Sequence, residues 1–497
     1  MNPNVTAETL EIMKGVWKND VNKAGWTQAG SATSGLTEYS LDPVIGHLYP
    51  VLTPLRDMIP RKVGGKGIQA NWRAITGVNT SNAGAGISQG NRGVVMAHTT
   101  QDYTAAFRGI GLEDNVTFES DWAGEGFADI KAEAVMGLLN ALMIAEEAVL
   151  MWGNTSVALG TTPTPTVADV GTGGTLAYNT AFSIICVALT YDGYQASSVA
   201  NGLPLSATRT LADGTTEAYA QGTAQKSTHG TVTTANDSNN THSITAVVTP
   251  VNNAVAYAWF WGASGSELLG AITTINSYVI TAAAAGTQNA SAGFTSDQSA
   301  NSLVYDGILT QIFKPSSGAY TATQANGTLG TGTPLTAGTD GTITEIDAAL
   351  KSFWDNYKLS PDIMWVSSQE MKNIRKKALN GSTSNAQRFV FNTDQKGMIV
   401  GTGVKSYTNP FCMGPAQEIE IKLHPYLPAG TILFTSKRIP YKMPNVANPL
   451  QLMLRRDYYQ IEYPLRTRKY EYGVYADGVL QCYFPPAFGT ITNIGNG

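Results

Sequence analysis

Polar and apolar positions follow several distinct rhythms along this chain. In residues 5–24, Leu10, Ile12, Met13, Val16 and Trp17 fall near helical spacing and predict a short amphipathic helix. Residues 25–45, rich in Gly, Ser and Thr, predict an extended arm. Pro50, Pro54 and Pro60 then forbid a regular helix through LYPVLTPLRDMIPRKVGGKG. Two strand-like runs follow, 68–75 and 101–112. The stretch between them, 76–100, is rich in Gly, Asn and Ser with almost no apolar anchor. This pattern predicts a long hairpin with a polar tip. A two-stranded ribbon is marginal in water alone, so it must lie on something.

The strongest periodicity is in 124–152, GEGFADIKAEAVMGLLNALMIAEEAVLMW, which no proline interrupts. Phe127, Ile130, Val135, Leu138, Leu139, Leu142, Met143, Val149 and Leu150 form a broad apolar face, with Glu133, Asn140, Glu146 and Glu147 on the other side. At 1.5 Å per residue such a helix runs about 40 Å and needs a large surface to pack on. Glu146 and Glu147 are adjacent, so they project about 100° apart and read as a solvated helix face.

Composition changes near Gly160. Residues 161–297 hold two basic residues, Arg209 and Lys226, against seven acidic ones. Short β-type runs recur there with turns between them: FSIICVALT, HSITAVVTP, AVAYAWFWGAS, ELLGAITT and SYVITA. That spacing marks a β-sandwich. PTPT before the runs and NASAGFTSD after them read as linkers, so 161–297 reads as an inserted all-β domain. Beyond it, SLVYDGILTQIF is short and apolar, and 316–341 reads as a loop. Capping boxes at Thr342/Glu345 and Ser367/Glu370 predict two helices around a buried strand, PDIMWV. EIEIKLHPYLPAGTILFTS and a β-rich tail, RKYEYGVYADGVLQCYF, complete an α+β pattern.

The 497-residue length suggests roughly two to four domains. Charged residues make up 14%, well below the usual ~25%. This fits a chain that hides surface against neighbours, and equally a β-rich protein full of Thr, Ser, Asn and Gly. A net charge of −5 argues against nucleic-acid binding by the chain as a whole. Cys186, Cys412 and Cys482 are scattered and imply no disulfide framework, which fits a reducing cytoplasm. No run of about 18 uninterrupted apolar residues predicts a membrane span, and the first twenty residues do not read as a secretory signal.

The search for chemistry yields no catalytic, cofactor-binding or metal-binding residues. GMIVGTG at 397–403 lacks the Lys-Ser/Thr pair of a phosphate loop and reads as a turn. His47, His98, His229, His242 and His424 are far apart, in no metal-ligand spacing, and each reads as structural. Two basic groups stand out: Lys372, Arg375, Lys376 and Lys377, and Arg455, Arg456, Arg466, Arg468 and Lys469. Solvated surface is the plain reading of both. The functional one is subunit contact or phosphates of packaged DNA on an inner surface.

The order of these parts resembles the Hong Kong 97 capsid fold of tailed-bacteriophage major capsid proteins. TPLRDMIPRK, SPDIMWVSSQEMKNIRKKAL and HPYLPAGTILFTS are like segments common in that family. The resemblance implies an N-arm (1–45), an E-loop hairpin (62–112), a long spine helix (124–152), and A- and P-domains within 298–497, with 360–435 mostly A-domain. It divides the chain into 1–160, 161–297 and 298–497. The insert resembles an immunoglobulin-like or fibronectin type III domain, folding by itself and projecting outward, so that its deletion spares assembly. Implied partners are the chain itself as hexamers and pentamers, a separate scaffolding protein (as the initial Met suggests), a portal, decoration proteins, and non-specifically held double-stranded DNA. No membrane is implied. The implied location is the virion, with assembly in the host bacterial cytoplasm, and no enzymatic activity. The lysine–asparagine cross-link of part of the family is not expected, because no lysine lies between Gly67 and Ile130. Competing readings are an encapsulin-type compartment, a tail or adhesive structural protein, and a glycan-active surface enzyme, which lacks a framed carboxylate pair here.

Overall fold

The structure is a computed structural model. It describes residues 50–495 apart from 79–85, 94, 96, 125–128, 212–213, 339–340, 381–392, 395–396, 399–403, 414–416, 440–445 and 447. The expected amphipathic helix, the arm, His47, most of GMIVGTG and part of the hairpin tip lie outside the described residues.

The described residues open with a one-turn helix, α1 (Pro54–Met58), and a short strand, β1 (Arg61–Val63). Proline at the first helical position suits α1, since its missing N–H would go unpaired there anyway. The hairpin β2 (Gln69–Val78) and β3 (His98–Ala106) follows. The run expected as one strand at 101–112 divides at Phe107, which is buried. The chain then continues as β4 (Arg108–Thr117) in a different sheet. A short helix, α2 (Phe118–Gly124), precedes the long helix α3 (Ile130–Trp152), about 35 Å in length. The Asp129 side chain caps α3 by accepting from the amides of Lys131 and Ala132, both at 3.1 Å.

Residues 161–297 contain β5 (Thr166–Val170), β6 (Ala181–Leu189), the single turn α4 (Tyr191–Gln195), β7 (Ala207–Thr210), β8 (Thr216–Tyr219), β9 (Gly230–Thr233), β10 (Ser243–Val247), β11 (Ala256–Gly262), β12 (Leu268–Thr273) and β13 (Ser277–Ile280). Seven of these strands form two facing sheets, ordered β13-β10-β5 and β12-β11-β6-β9, and β7 and β8 pair as a separate ribbon. One core lies between the sheets: Ile184, Cys186 and Ala188 from β6, Tyr257, Trp259 and Trp261 from β11, and Ile244, Ala246 and Ile280 opposite. The reverse faces of β6 and β11 are buried too, against Leu203, Ala290 and Phe294. Burial on both faces explains why FSIICVAL reads as an unbroken apolar run.

The expected linkers are not free tethers. The buried Thr162 hydroxyl accepts from the Ala188 amide at 2.9 Å, and NASAGFTSD supplies the buried Ala290 and Phe294. Trp152, the last residue of α3, stacks on Tyr191 with ring centroids 4.7 Å apart. The Asn276 amide donates to Asn493 Oδ1 (3.0 Å), and Asn493 Nδ2 donates back to Asn276 Oδ1 (2.9 Å), with both residues buried. Removing 161–297 would uncover these groups.

The remainder supplies α5 (Ile308–Phe313), β14 (Tyr320–Thr323), α6 (Thr344–Tyr357), β15 (Ile363–Val366), α7 (Ser368–Asn380), the two-residue pair β16 (Thr393–Asp394) and β17 (Gly397–Met398), β18 (Ser406–Asn409), β19 (Gln417–Leu423), β20 (Ile432–Thr435), β21 (Leu450–Glu462), β22 (Lys469–Cys482) and β23 (Gly489–Thr492). Six strands make a mixed sheet, β14-β23-β20-β15-β19-β18, around which most of the largest core is built. Four more, β1-β21-β22-β4, form a second sheet. Helix α3 lies on that sheet through Leu138 and Leu142 against Val116, Tyr472 and Val474. The described chain is thus α+β, with hairpin, long helix and two further sheets in the expected order.

Only one of the two capping boxes forms, and only in part. Helix α6 starts at Thr344 rather than after Thr342, because Ile343 is drawn fully into the core, and Glu345 instead accepts from the Thr336 amide. At α7, Ser367 Oγ accepts from the Glu370 amide at 3.2 Å as expected. The Glu370 carboxylate turns inward to the Gly430 amide (3.1 Å) and Asn373. Burial pushes its pKa up to about 7, against the opposing pull of those hydrogen bonds. An acid with a raised folded pKa contributes most to stability below its unfolded value, and loses that contribution as pH rises toward 7. The stability of Glu370→Gln relative to the wild type should therefore improve by about 2 kcal/mol between pH 5 and pH 8, read from urea midpoints.

Candidate assembly site

The C-terminal half of α3 is fixed by a buried charged anchor. Glu146 and Glu147 are almost completely buried, not solvated as their adjacency suggested. Their angular separation on the helix points them at two different partners. Glu147 faces the start of α1, where Oε1 accepts from the Leu55 amide (2.8 Å) and Oε2 from the Arg56 amide (2.7 Å). It thereby pairs two amides that a helix start leaves without partners. Glu147 Oε1 also lies 2.7 Å from His424 Nε2. His424 Nδ1 accepts from the Tyr426 amide, so the ring hydrogen sits on Nε2 and points at the carboxylate. His424 is thus the satisfied structural histidine expected of it.

Glu146 faces the other way. Arg61 Nη1 reaches both its oxygens at 2.8 and 2.9 Å, Arg56 Nε lies at 3.2 Å, and the Tyr458 hydroxyl donates to it. Arg61 also holds Asp457 through Nη2 at 2.5 Å. Both guanidinium groups lie over the Tyr458 ring, 5.2 and 4.9 Å from its centroid. Burial opposes ionisation of Asp457, but the Arg61 bond, the Tyr458 amide and the charges of Arg61 and Arg56 together outweigh it and hold the pKa below its ordinary value. Burial and the Glu146 bond push Tyr458 up to about 12. The anchor joins α1, α3, β21 and the turn after β19 at one point. By length and composition α3 is apolar enough to cross a bilayer, but here these elements enclose its C-terminal half.

From that fixed base the chain runs on into the β2–β3 hairpin. Trp72 and Tyr103 pair across the strands and stack 5.7 Å apart, and Trp72 Nε1 donates to the Cys482 carbonyl at 3.2 Å. Arg73 and Asp102 form an exposed ion pair on the ribbon, which lowers the Asp102 pKa. Toward the tip, Ile75, Ile87 and Val95 are 66, 61 and 94% exposed. Ile68, at the base, is 81% exposed. The hairpin therefore carries apolar side chains that no other part of the described residues covers.

The second basic group does not form one patch. Arg455 sits beside the hairpin base, paired with Asp477 (2.7 Å) and lying over Phe107. Arg456 lies over the Tyr459 ring. Arg468 pairs with Glu119 (2.8 Å) and Lys469 with Glu471 (2.7 Å) near the far end of the β21–β22 ribbon. Seven strand residues, about 23 Å, separate Arg455 from that end. Arg466 is exposed there. On α7, Lys372, Arg375 and Lys376 share one exposed face.

Among the described residues no group of three or more His, Cys, Asp or Glu is placed to hold a metal ion. Cys186 and Cys482 are buried thiols and Cys412 is partly buried. His98 is exposed on β3, and His229 lies 2.7 Å from Ser183 Oγ and 2.8 Å from Glu267.

No protein-family model matches the chain, and no curated protein matches it in sequence. Several solved capsid structures align with it over most of its length. The capsid of a native GTA particle aligns over 95% of this chain and 100% of its own, with a TM-score of 0.44 at 8% identity. The capsid of cyanophage P-SCSP1u covers 93% and 95%, with a TM-score of 0.41 at 8% identity. The capsid of Myoviridae phage XM1 covers 92% and 97%, with a TM-score of 0.39 at 8% identity.

Proposed function

We propose that this chain is the major capsid protein of a tailed phage, which self-assembles as hexamers and pentamers into the icosahedral head shell around double-stranded DNA. The observation that carries the reading is the β2–β3 hairpin, rigidly based yet bearing exposed Ile68, Ile75, Ile87 and Val95. An apolar ribbon of this kind is a liability in a monomer and an asset in a shell, where a neighbour covers it. Obligate interfaces bury roughly 2,000–5,000 Å², enough to hold subunits without covalent links. The role is structural and not enzymatic, in the virion, after assembly in the host cytoplasm with a separate scaffolding protein, a portal and decoration proteins. Exposed basic residues such as Lys372, Arg375, Lys376 and Arg466 suit non-specific contact with DNA phosphates on the inner surface. Residues 161–297 are proposed as an inserted immunoglobulin-like domain between the capsid parts 1–160 and 298–497.

The test is electron microscopy and sedimentation of the full chain, alone and with its scaffolding protein. Closed shells are expected, dissolving in hot detergent to a single band near 52.7 kDa. Replacing Ile75 and Ile87 together by Asp should leave a folded subunit and abolish shells. A stable monomer under every condition, or tubes instead of shells, would overturn the proposal.

A further inference from the structure

In the insert, His242 is fully buried and both its ring nitrogens face carboxylates. Nδ1 lies 2.9 and 3.1 Å from the two oxygens of Asp169 on β5, and Nε2 lies 2.9 Å from Asp237 Oδ1 in the loop between β9 and β10. A carboxylate only accepts, and a neutral imidazole has a single N–H. Both contacts are hydrogen bonds only when the ring carries two protons and a positive charge. The same carboxylates hold the loop backbone, Asp169 accepting from the Ala235 amide (2.9 Å) and Asp237 from the Asn239 amide (3.0 Å).

We propose that His242 is a proton-operated clasp that fastens the loop 234–241 to the end of β5. Asp169 and Asp237 are the charged groups that face it. The backbone carbonyl of His242 accepts from the Leu176 amide at 3.1 Å, which fixes the residue at the start of β10. The Asp237 hydrogen bond above all, with Asp169 in support, raises the His242 pKa against the opposing effect of burial. The sign follows: the clasp is complete below the ordinary histidine value and is lost as pH rises through the higher folded value. Deprotonation turns one ring lone pair toward an ionised carboxylate, which releases that end of the loop.

The experiment is hydrogen exchange by mass spectrometry on the full chain between pH 5.5 and 9, corrected for intrinsic rates. Protection of 235–241 should fall severalfold across this range while that of β6 and β11 holds. His242→Gln should leave the loop weakly protected at every pH. Asp237→Asn, at a partly exposed position, should move the midpoint of the change to lower pH. Wild-type protection that ignores pH, an unchanged response in His242→Gln, or an unshifted midpoint in Asp237→Asn would each overturn the clasp.

Discussion

Glu147→Ala should destabilise the subunit by about 4 kcal/mol, because it strips three buried donors of their acceptor at once. The Leu55 and Arg56 amides and the His424 Nε2–H all end on this one carboxylate, at 2.7 to 2.8 Å. None has a ready substitute, since the side chains of Glu147 and His424 are both fully buried. Glu147→Gln keeps an acceptor oxygen but turns an N–H toward one of the three donors, so a smaller loss of about 2 kcal/mol is expected. Urea denaturation of the unassembled subunit measures both. A change under 1 kcal/mol in the alanine variant would show that the anchor does not hold α3. In shells the effect should appear as a hairpin that no longer meets its neighbour, because α1 and β1 lead directly into β2.

Trp259→Ala in the insert should cost about 3–5 kcal/mol. The ring is fully buried between the two sheets, and its Nε1 donates to Thr273 Oγ1 at 2.9 Å. Truncation leaves a cavity and removes the one N–H that the Thr273 hydroxyl accepts, while that hydroxyl still donates to the Ile275 carbonyl. For a unit of this size the loss corresponds to a fall of about 10–20 °C in melting temperature. Calorimetry of the full chain measures the shift and shows which parts share the transition. A separate early transition for 161–297 would support an insert that folds as its own unit. A single lowered transition for the whole chain would place the cooperative boundary elsewhere and make the Trp152–Tyr191 and Asn276–Asn493 contacts the reason.

Local pattern carried far in this chain. The apolar period of α3, the runs that became β6, β10, β11, β12 and β13, and the buried strand β15 were legible because burial of one face, or of both, imposes its spacing on consecutive residues. The hairpin was legible for the complementary reason, two β-type runs around a polar stretch. Its division at Phe107 was not, since a strand that changes sheets keeps its apolar pattern through the change. The Ser367 half of a capping box survived because it is local. Thr342 failed because Ile343 gained more from the core than the cap offered.

The sequence by itself determined the elements, their order and the lack of any motif for catalysis or metal binding. Tertiary structure alone decided the meaning of the charges. Glu146 and Glu147 are ordinary surface residues by every local rule. They are buried because Arg56 and Arg61, some 90 positions earlier, and Asp457, Tyr458 and His424, some 300 later, converge on one end of α3. The basic cluster near the C-terminus was dispersed for the same reason: Arg455 pairs with Asp477, Arg468 with Glu119, and Arg456 lies over Tyr459. Apolar burial depends on neighbours along the chain, whereas a buried charge depends on partners brought from anywhere in it, and only the fold supplies those.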